Sequence, residues 1–234
     1  MTYHVQLKMT YHVQRFRLRA LAVVACVCVV AALVPAIASA ATQEDKTQFS
    51  VIAGSLSLST VPAMPTLTSI TLNGEAQKTN TTMTNFAAQD ATGSGSGWKV
   101  QVEGQTGAGK SAVFAQYCSN GAEKCGAEAA NAYVGGGQTL AANSLTLNST
   151  SASFSAQKES TGTAPKLECN AACNVDSASA VKIVSAAVNA GMGTWITTGF
   201  TGTSLTLSTP TTLKALPANE VYRVNLLWTL STGP

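Results

Sequence analysis

The sequence predicts an all-β protein, a β-sandwich or Greek-key-like domain with long loops restrained by disulfides. Three observations support this fold class. After position 40 the chain is rich in Thr, Ser, Gly and small apolar residues and has few charges, which is typical of a large sheet protein with many turns. Short segments alternate apolar and polar residues at period two. Gly and Pro interrupt the chain between these segments.

The alternating segments are expected to form the strands of the sandwich. In chain order they are residues 56–58, 67–72, 98–102, 145–147, 181–188, 195–200, 205–207 and 221–230. The last segment has the clearest pattern, because one side of it carries only apolar and aromatic side chains. These are Tyr222, Val224, Leu226, Trp228 and Leu230. We expect this side of the strand to be buried.

Residues 1–40 have the features of a cleaved secretory signal peptide. Its basic start is formed by Arg15, Arg17 and Arg19, and residues 20–36 are apolar. The triplet Ala38-Ser39-Ala40 fits the small-x-small rule for cleavage before Ala41. An uncleaved anchor is the alternative, since the apolar stretch approaches the roughly 20 residues that cross a bilayer. We expect cleavage, secretion and no stable membrane anchor in the mature chain.

Loss of the leader removes four cations and both histidines. The formal charge of the whole chain is +3, so removing four cations and no carboxylate leaves −1. A chain without a basic surface is poorly suited to nucleic acid. His4 and His12 both lie in the leader, which excludes a His-dependent catalytic triad and a His-ligated zinc ion from the mature chain. We expect no enzymatic activity, no cofactor and no metal.

Four cysteines remain after the leader. Six residues separate Cys118 from Cys125, and three separate Cys169 from Cys173. In an exported chain these predict disulfides, and four cysteines allow three connectivities. We favour the two local pairs. Zinc bound by four thiolates is the rival interpretation, but neither spacing is the C-x2-C of common zinc sites.

Residues 104–111 match the P-loop pattern G-x4-G-K-[ST], with Lys110 and Ser111 in the positions that would contact phosphate and magnesium. The preceding segment alternates in polarity, whereas a central parallel strand is apolar throughout. The sequence has neither a Walker B carboxylate nor a βαβ succession. We therefore expect a glycine-rich turn and no nucleotide. The carboxylates show no pairing in sequence that would indicate glycoside hydrolysis, and Asp90 is expected to cap a turn rather than bind calcium.

Three tryptophan segments carry a resemblance to a known family. They are residues 90–100 with Trp98-Lys99-Val100, residues 190–195 ending in Trp195, and residues 222–234 with Trp228-Thr229-Leu230. Together they resemble the WxL domain, the wall-binding module of Gram-positive surface proteins, which has two such tryptophan motifs. The first motif departs from the family pattern, because Val100 replaces leucine. The resemblance extends over residues 67–234, with 41–66 as a lead-in and a loop-rich insertion at about 104–176.

The resemblance implies that the tryptophan motifs help to bind a wall polymer. On this interpretation the ligand-binding residues are Trp98, Val100, Trp195, Trp228 and Leu230. The W-x-L spacing places both side chains on one side of a strand, about 7 Å apart. The alternative is that the tryptophans are core residues, since a buried aromatic side chain contributes a large apolar area.

Two functional hypotheses follow. The first is a non-catalytic secreted surface protein that binds peptidoglycan or a wall-attached polymer non-covalently through its WxL-like domain. The second is a structural or adhesive surface subunit that self-assembles or binds other surface proteins, for which a low-charge β protein with free strand edges is suited. Both place the protein outside the cell, at the cell wall.

Overall fold

A computed structural model describes residues 46–119, 125 and 131–234. The predicted signal peptide, residues 1–40, lies outside the described residues. The chain divides into two units, residues 1–49 and 50–234, and every described strand belongs to the second unit. The described residues contain no helix, so none of them forms one long and apolar enough to cross a membrane.

The described chain forms fourteen strands, most of them short, with bends and glycine turns between them. They are β1 (Leu56–Thr60), β2 (Gln77–Thr81), β3 (Ala87–Asp90), β4 (Trp98–Gly104), β5 (Ala115–Cys118), β6 (Leu145–Leu147), β7 (Ser153–Gln157), β8 (Lys166–Leu167), β9 (Cys173–Asn174), β10 (Val181–Ala186), β11 (Gly193–Thr198), β12 (Leu205–Thr209), β13 (Glu220–Arg223) and β14 (Leu226–Thr232).

The strands pair in antiparallel sheets, and the prediction of an all-β sandwich is confirmed. Three sheets have four strands each, in the orders β1-β3-β11-β7, β14-β4-β10-β8 and β2-β12-β6-β9. A two-stranded ribbon joins β13 to β5. No two paired strands among those described are consecutive in sequence, so each ladder is closed by a long crossover of the chain.

The core is built from one side of each sheet, and β4 lies at its centre. Burial alternates strictly along β4, where Trp98, Val100 and Val102 are fully buried. Met83, Phe86 and Ile183 pack into the same cluster. One aromatic side chain buries roughly 150–250 Å², which is worth about 4–6 kcal/mol at about 25 cal/mol per Å². Alternation of long polar and large apolar residues therefore fixes which side of β4 is buried.

Two of the predicted strands differ from the structure. Residues 67–72 do not form a strand, and this prediction was wrong. The carbonyls of Thr68 and Thr71 accept hydrogen bonds from the side chains of Thr79 and Gln77 on β2, at 3.0 Å each. Side chains thus hold this segment beside β2 without a backbone ladder. Only Leu67 and Ile70 of the segment are partly buried, and the spacing of three between them is not that of a strand.

The predicted strand 221–230 is divided into β13 and β14, which belong to different sheets. The break falls at Asn225, whose backbone N–H donates to the Ser111 carbonyl at 2.9 Å and whose carbonyl accepts from the Gln105 N–H at 2.8 Å. The Asn225 side chain also accepts a hydrogen bond from the Tyr133 hydroxyl at 2.5 Å. These bonds turn the chain towards the β4–β5 connection, although the alternation of side chains continues through the break.

The loop-rich region at 104–176 contains five short strands, β5 to β9. Strands β5, β6, β7 and β8 pair with β13, β12, β11 and β10 respectively, so this region supplies strands to every sheet. Its boundaries as an insertion stay a prediction. The P-loop-like residues connect β4 to β5 through a turn in which the Lys110 N–H bonds the Gly107 carbonyl at 3.1 Å, and a strand follows where a P-loop has a helix.

Both local disulfides are present, Cys118–Cys125 and Cys169–Cys173, with S–S distances of 2.03 and 2.04 Å. The buried carboxylate of Asp176 fixes the start of β6 by accepting the backbone N–H groups of Ser144 and Leu145 at 3.0 and 2.9 Å. Burial raises the pKa of Asp176, and these backbone donors oppose that rise.

Candidate functional site

The first and last tryptophan motifs lie side by side in one sheet. Strand β14 pairs with β4 so that Leu230 is opposite Val100, Trp228 is opposite Val102, and Thr232 is opposite Trp98. Paired residues share a face, so Trp228 and Leu230 point to the same core side of the sheet as the valines opposite them. Thr232, at the end of β14, is exposed. Sequence spacing alone placed each motif on a strand, and the structure makes the two strands neighbours.

Trp98 and Val100 are fully buried. The Trp98 indole N–H donates to the Gly191 carbonyl at 3.0 Å. Gly191 has a positive φ of 69°, and a Cβ there would lie 2.7 Å from the Trp98 Nε1 and 2.5 Å from the Ala186 Cβ. Only glycine fits both the conformation and the space. In this structure the two side chains have no surface to offer to a polymer.

Trp195 is also buried, and its indole N–H donates to the Met192 carbonyl at 2.9 Å. The two indoles therefore hold consecutive carbonyls of one turn, those of Gly191 and Met192. This turn also contacts the Gly/Ser loop before β4, because the Asn189 N–H donates to the Gly95 carbonyl at 2.8 Å. Two of the three predicted tryptophans thus position the same turn.

Trp228 and Leu230 differ from the others, because both are only partly buried. The Trp228 ring lies against Phe86, with 5.9 Å between the ring centroids and a tilt of 43°. Trp228 also faces a cleft, which makes it the predicted tryptophan with accessible indole surface. The pattern of half-burial continues towards the start of β14 through Leu226 and Val224.

The cleft has a volume of about 1260 Å³. One wall is the irregular segment 62–72, and the other is formed by residues 213–228. Core side chains form the floor, namely Phe114, Leu140, Leu145, Leu205 and Leu207. Strands β2 and β14 reach the cleft and are both edge strands of their sheets. The cleft therefore opens the core to the surface between two unpaired sheet edges.

Polar and charged side chains lie at the rim of this apolar cleft. Lys214, Glu220 and Arg223 line it, and Lys214 and Arg223 are exposed. The Arg223 guanidinium lies 4.2 Å from the centre of the Tyr117 ring, which favours a fixed position through a cation–π contact. The Tyr222 hydroxyl donates to the Lys214 carbonyl at 3.0 Å, and burial raises the pKa of Tyr222. An apolar interior with a few polar groups is typical of a binding site.

Tyr222 was predicted only as a buried strand residue, and of the wall 62–72 only residues 67–72 were predicted, as a strand. Neither was predicted as part of a site. The proximity of the two walls depends on contacts between distant parts of the chain, for which the sequence has no local signal. The terminal alternation of aromatic residues was the signal that could have indicated Tyr222.

Two of the described carboxylates illustrate structural roles. Asp90 accepts hydrogen bonds from the Thr92 N–H and hydroxyl at 3.0 and 2.6 Å, which is the turn that was predicted. Glu168 accepts a hydrogen bond from the Ser185 hydroxyl and lies 3.4 Å from Lys166. Within residues 46–119, 125 and 131–234, no three His, Cys, Asp or Glu side chains are close enough to share a metal ion.

Comparison with protein-family models identifies the class of protein. The matching model is described as "WxL domain surface cell wall-binding", and the match extends over residues 48–234. Comparisons with curated proteins and with solved structures find no match. The fold, the paired tryptophan motifs and this match define a surface domain that binds the cell wall. The chain belongs to the WxL family, as its tryptophan motifs predicted.

Proposed function

We propose that this protein is an exported, non-catalytic surface protein that binds peptidoglycan of a Gram-positive wall non-covalently in the cleft beside Trp228. The observation that carries the proposal is the position of Trp228, where a W-x-L tryptophan faces an apolar cleft with a polar rim. Membership of a wall-binding family supplies the class of ligand.

The size and lining of the cleft favour a segment of polymer. Its volume of about 1260 Å³ exceeds the roughly 300–1,000 Å³ of pockets for small ligands. The C–H faces of sugar rings can pack on the indole of Trp228 and on the Tyr222 ring. Arg223 and Lys214 at the rim are placed for carboxylates of a stem peptide, and Glu220 for its amino groups.

The buried members of the predicted set have a supporting role in this proposal. Trp98 and Trp195 hold the turn at Gly191 and Met192, and Val100 packs opposite Leu230 on the neighbouring strand. Leu230 continues the half-buried side of β14 beyond Trp228. We assign direct ligand contact to Trp228 and to the cleft residues around it.

The test is sedimentation of the purified chain from Ala41 with isolated Gram-positive peptidoglycan. Trp228→Ala is the test variant. Leu227→Ala is the matched control, because Leu227 is its neighbour on β14, faces the opposite side and is 39% exposed. Near-ultraviolet circular dichroism verifies that both variants remain folded.

We expect saturable sedimentation of the wild type and of Leu227→Ala, with a loss of at least tenfold in affinity for Trp228→Ala. Equal binding by both variants would mean that the polymer does not bind beside Trp228. An absence of sedimentation by the wild-type chain would refute peptidoglycan binding. Arg223→Ala and Lys214→Ala then separate contacts to charged stem peptides from contacts to sugar, because only the former weaken with added salt.

A further inference from the structure

The most exposed apolar side chains of the described chain lie next to one another, in the segment before β1. Phe49, Val51 and Ile52 are 89%, 81% and 91% exposed. Soluble proteins expose single apolar side chains commonly, but a contiguous group usually marks an interaction site. Residues 46–53, here called the N-terminal arm, have no strand pairing. The Gly54 N–H, just after the arm, donates to the Ala91 carbonyl at 2.9 Å.

The arm has the pattern of a strand without a partner. Phe49, Val51 and Ala53 alternate with Ser50 and Ile52, so an extended arm presents three apolar side chains on one face. Five residues in this conformation are about 17 Å long. Aromatic and β-branched residues also favour strand conformation. What the arm lacks is an unpaired strand edge beside an apolar surface.

The cleft supplies both features. Its floor is formed by core leucines and Phe114, and the edge strands β2 and β14 reach it. An added strand with alternate side chains in apolar pockets is an established way for a sheet edge to bind a peptide. High exposure of Val51 and Ile52 shows that these side chains do not fill the cleft of their own chain.

Charge complementarity supports the same pairing. Glu44 and Asp45 immediately precede the arm in sequence. Lys214 and Arg223 line the rim of the cleft and form no ion pair within the described parts of the chain. With Lys46 at the start of the arm, residues 44–46 have a formal charge of −1, and Lys214, Arg223 and Glu220 give the rim +1. An arm that enters the cleft from the rim would bring these opposite charges together, and partial burial strengthens such pairs.

We propose that the arm of one copy docks as an added strand in the cleft of a second copy. The interface joins two different surfaces of the same chain, so it is heterologous, and each copy retains one free arm and one free cleft. Association therefore continues to open chains with rising concentration. This inference is independent of wall binding, although both use the cleft, and wall polymer would compete with the arm.

The test measures the mass of the chain from Ala41 by light scattering after size exclusion over a range of concentrations. The arm variant is Phe49→Ser/Val51→Ser/Ile52→Ser. The cleft variant is Val221→Asp, since Val221 lines the cleft and is 44% exposed. The control is Val188→Ser, which removes a side chain that is 64% exposed and belongs to neither surface. The circular dichroism of each variant must match that of the wild type.

We expect the wild type and Val188→Ser to reach dimers and larger species, while each of the two other variants alone remains monomeric. A mixture of the arm variant and the cleft variant has one intact arm and one intact cleft, so it should stop at a dimer of twice the monomer mass. A wild type that is monomeric at every concentration, an arm variant that assembles normally, or a mixture that fails to pair would overturn the inference.

Wall binding gives a separate result in the same set of proteins. The arm variant keeps every cleft residue, so it should sediment with peptidoglycan at least as well as the wild type. If the arm variant loses assembly and no chain binds the wall, only the proposed function fails. If the wild type and the arm variant bind the wall and no chain assembles, only the arm inference fails.

Discussion

Replacement of Trp98 by phenylalanine tests whether this motif tryptophan is a structural residue. The side chain is fully buried, and its indole N–H donates to the carbonyl of Gly191, which is itself buried. Phenylalanine keeps an aromatic ring in the core but removes the donor. A buried acceptor left without a partner costs about 1–3 kcal/mol. The void left by the smaller ring adds about 1 kcal/mol, so the expected loss in free energy of unfolding is about 2–4 kcal/mol.

Trp195→Phe is the matched comparison. Its indole N–H also donates to a carbonyl, that of Met192, but Met192 is exposed and water can replace the lost donor. The lost hydrogen bond then costs about 0.5–1.5 kcal/mol. Urea unfolding followed by circular dichroism measures both variants. Their midpoints can be compared if the free energy of unfolding depends on urea concentration with the same slope in both variants. We expect Trp98→Phe to lose about 1 kcal/mol more than Trp195→Phe.

Two results would refute this reasoning. Equal losses for both variants would mean that burial of the acceptor does not decide the cost. A loss below about 1 kcal/mol for Trp98→Phe would mean that the hydrogen bond to Gly191 contributes little. At a temperature where it is fully folded, Trp98→Phe should still sediment with peptidoglycan, in contrast to Trp228→Ala.

Two further predictions concern the turn that Trp98 holds and the surface of β10. Gly191→Ala should lower the free energy of unfolding, measured with urea, by about 2–4 kcal/mol, because it strains the backbone and overlaps Trp98. Gly74→Ala is the control: Gly74 also has a positive φ, 83°, but nothing lies near its Cβ position, so the loss should be only about 1 kcal/mol. Equal losses would contradict the overlap. The hydrogen bond from the Ser185 hydroxyl, with a smaller contribution from Lys166, lowers the pKa of Glu168. The ionised Glu168 carboxylate therefore stabilises the fold at pH values above the ordinary carboxyl pKa, and this contribution is lost as the pH falls through the lowered pKa. Ser185→Ala should raise that pKa in an NMR titration more than Lys182→Gln does, and no change would exclude the hydroxyl as its main cause.

The sequence predicted several strands from the alternation of apolar and polar residues. Residues 98–102, 181–188 and 205–207 correspond to β4, β10 and β12, with small changes at the ends. Strand β2 was missed because its residues, from Gln77 to Thr81, are all polar or charged. Pairing with β12, which lies far along the chain, keeps it in a sheet. Local alternation reports burial, but it does not report which distant strand completes a ladder.

The candidate site was predicted less completely than the fold, and the reason is again distance along the chain. The terminal alternation predicted a buried face for Trp228, and Trp98 has similar local spacing. In the structure Trp98 is fully buried, whereas Trp228 is only partly buried. The difference is that β4 is a central strand and β14 an edge strand. Edge position depends on the whole sheet order, which one sequence does not contain. The two local disulfides were predictable because their cysteines are close in sequence.

None of the described strands pairs with the strand that follows it in sequence, and this determines when the fold can form. Trp98 on β4 pairs with Thr232 near the end of the chain, and β2 must await β12. Local hairpins cannot nucleate such an arrangement, so loop closure must precede most contacts and folding should be slow. A chain emerging from its N-terminus would therefore carry unpaired, apolar strands until its last residues appeared. Protection from aggregation during that interval is a requirement set by the sheet order itself.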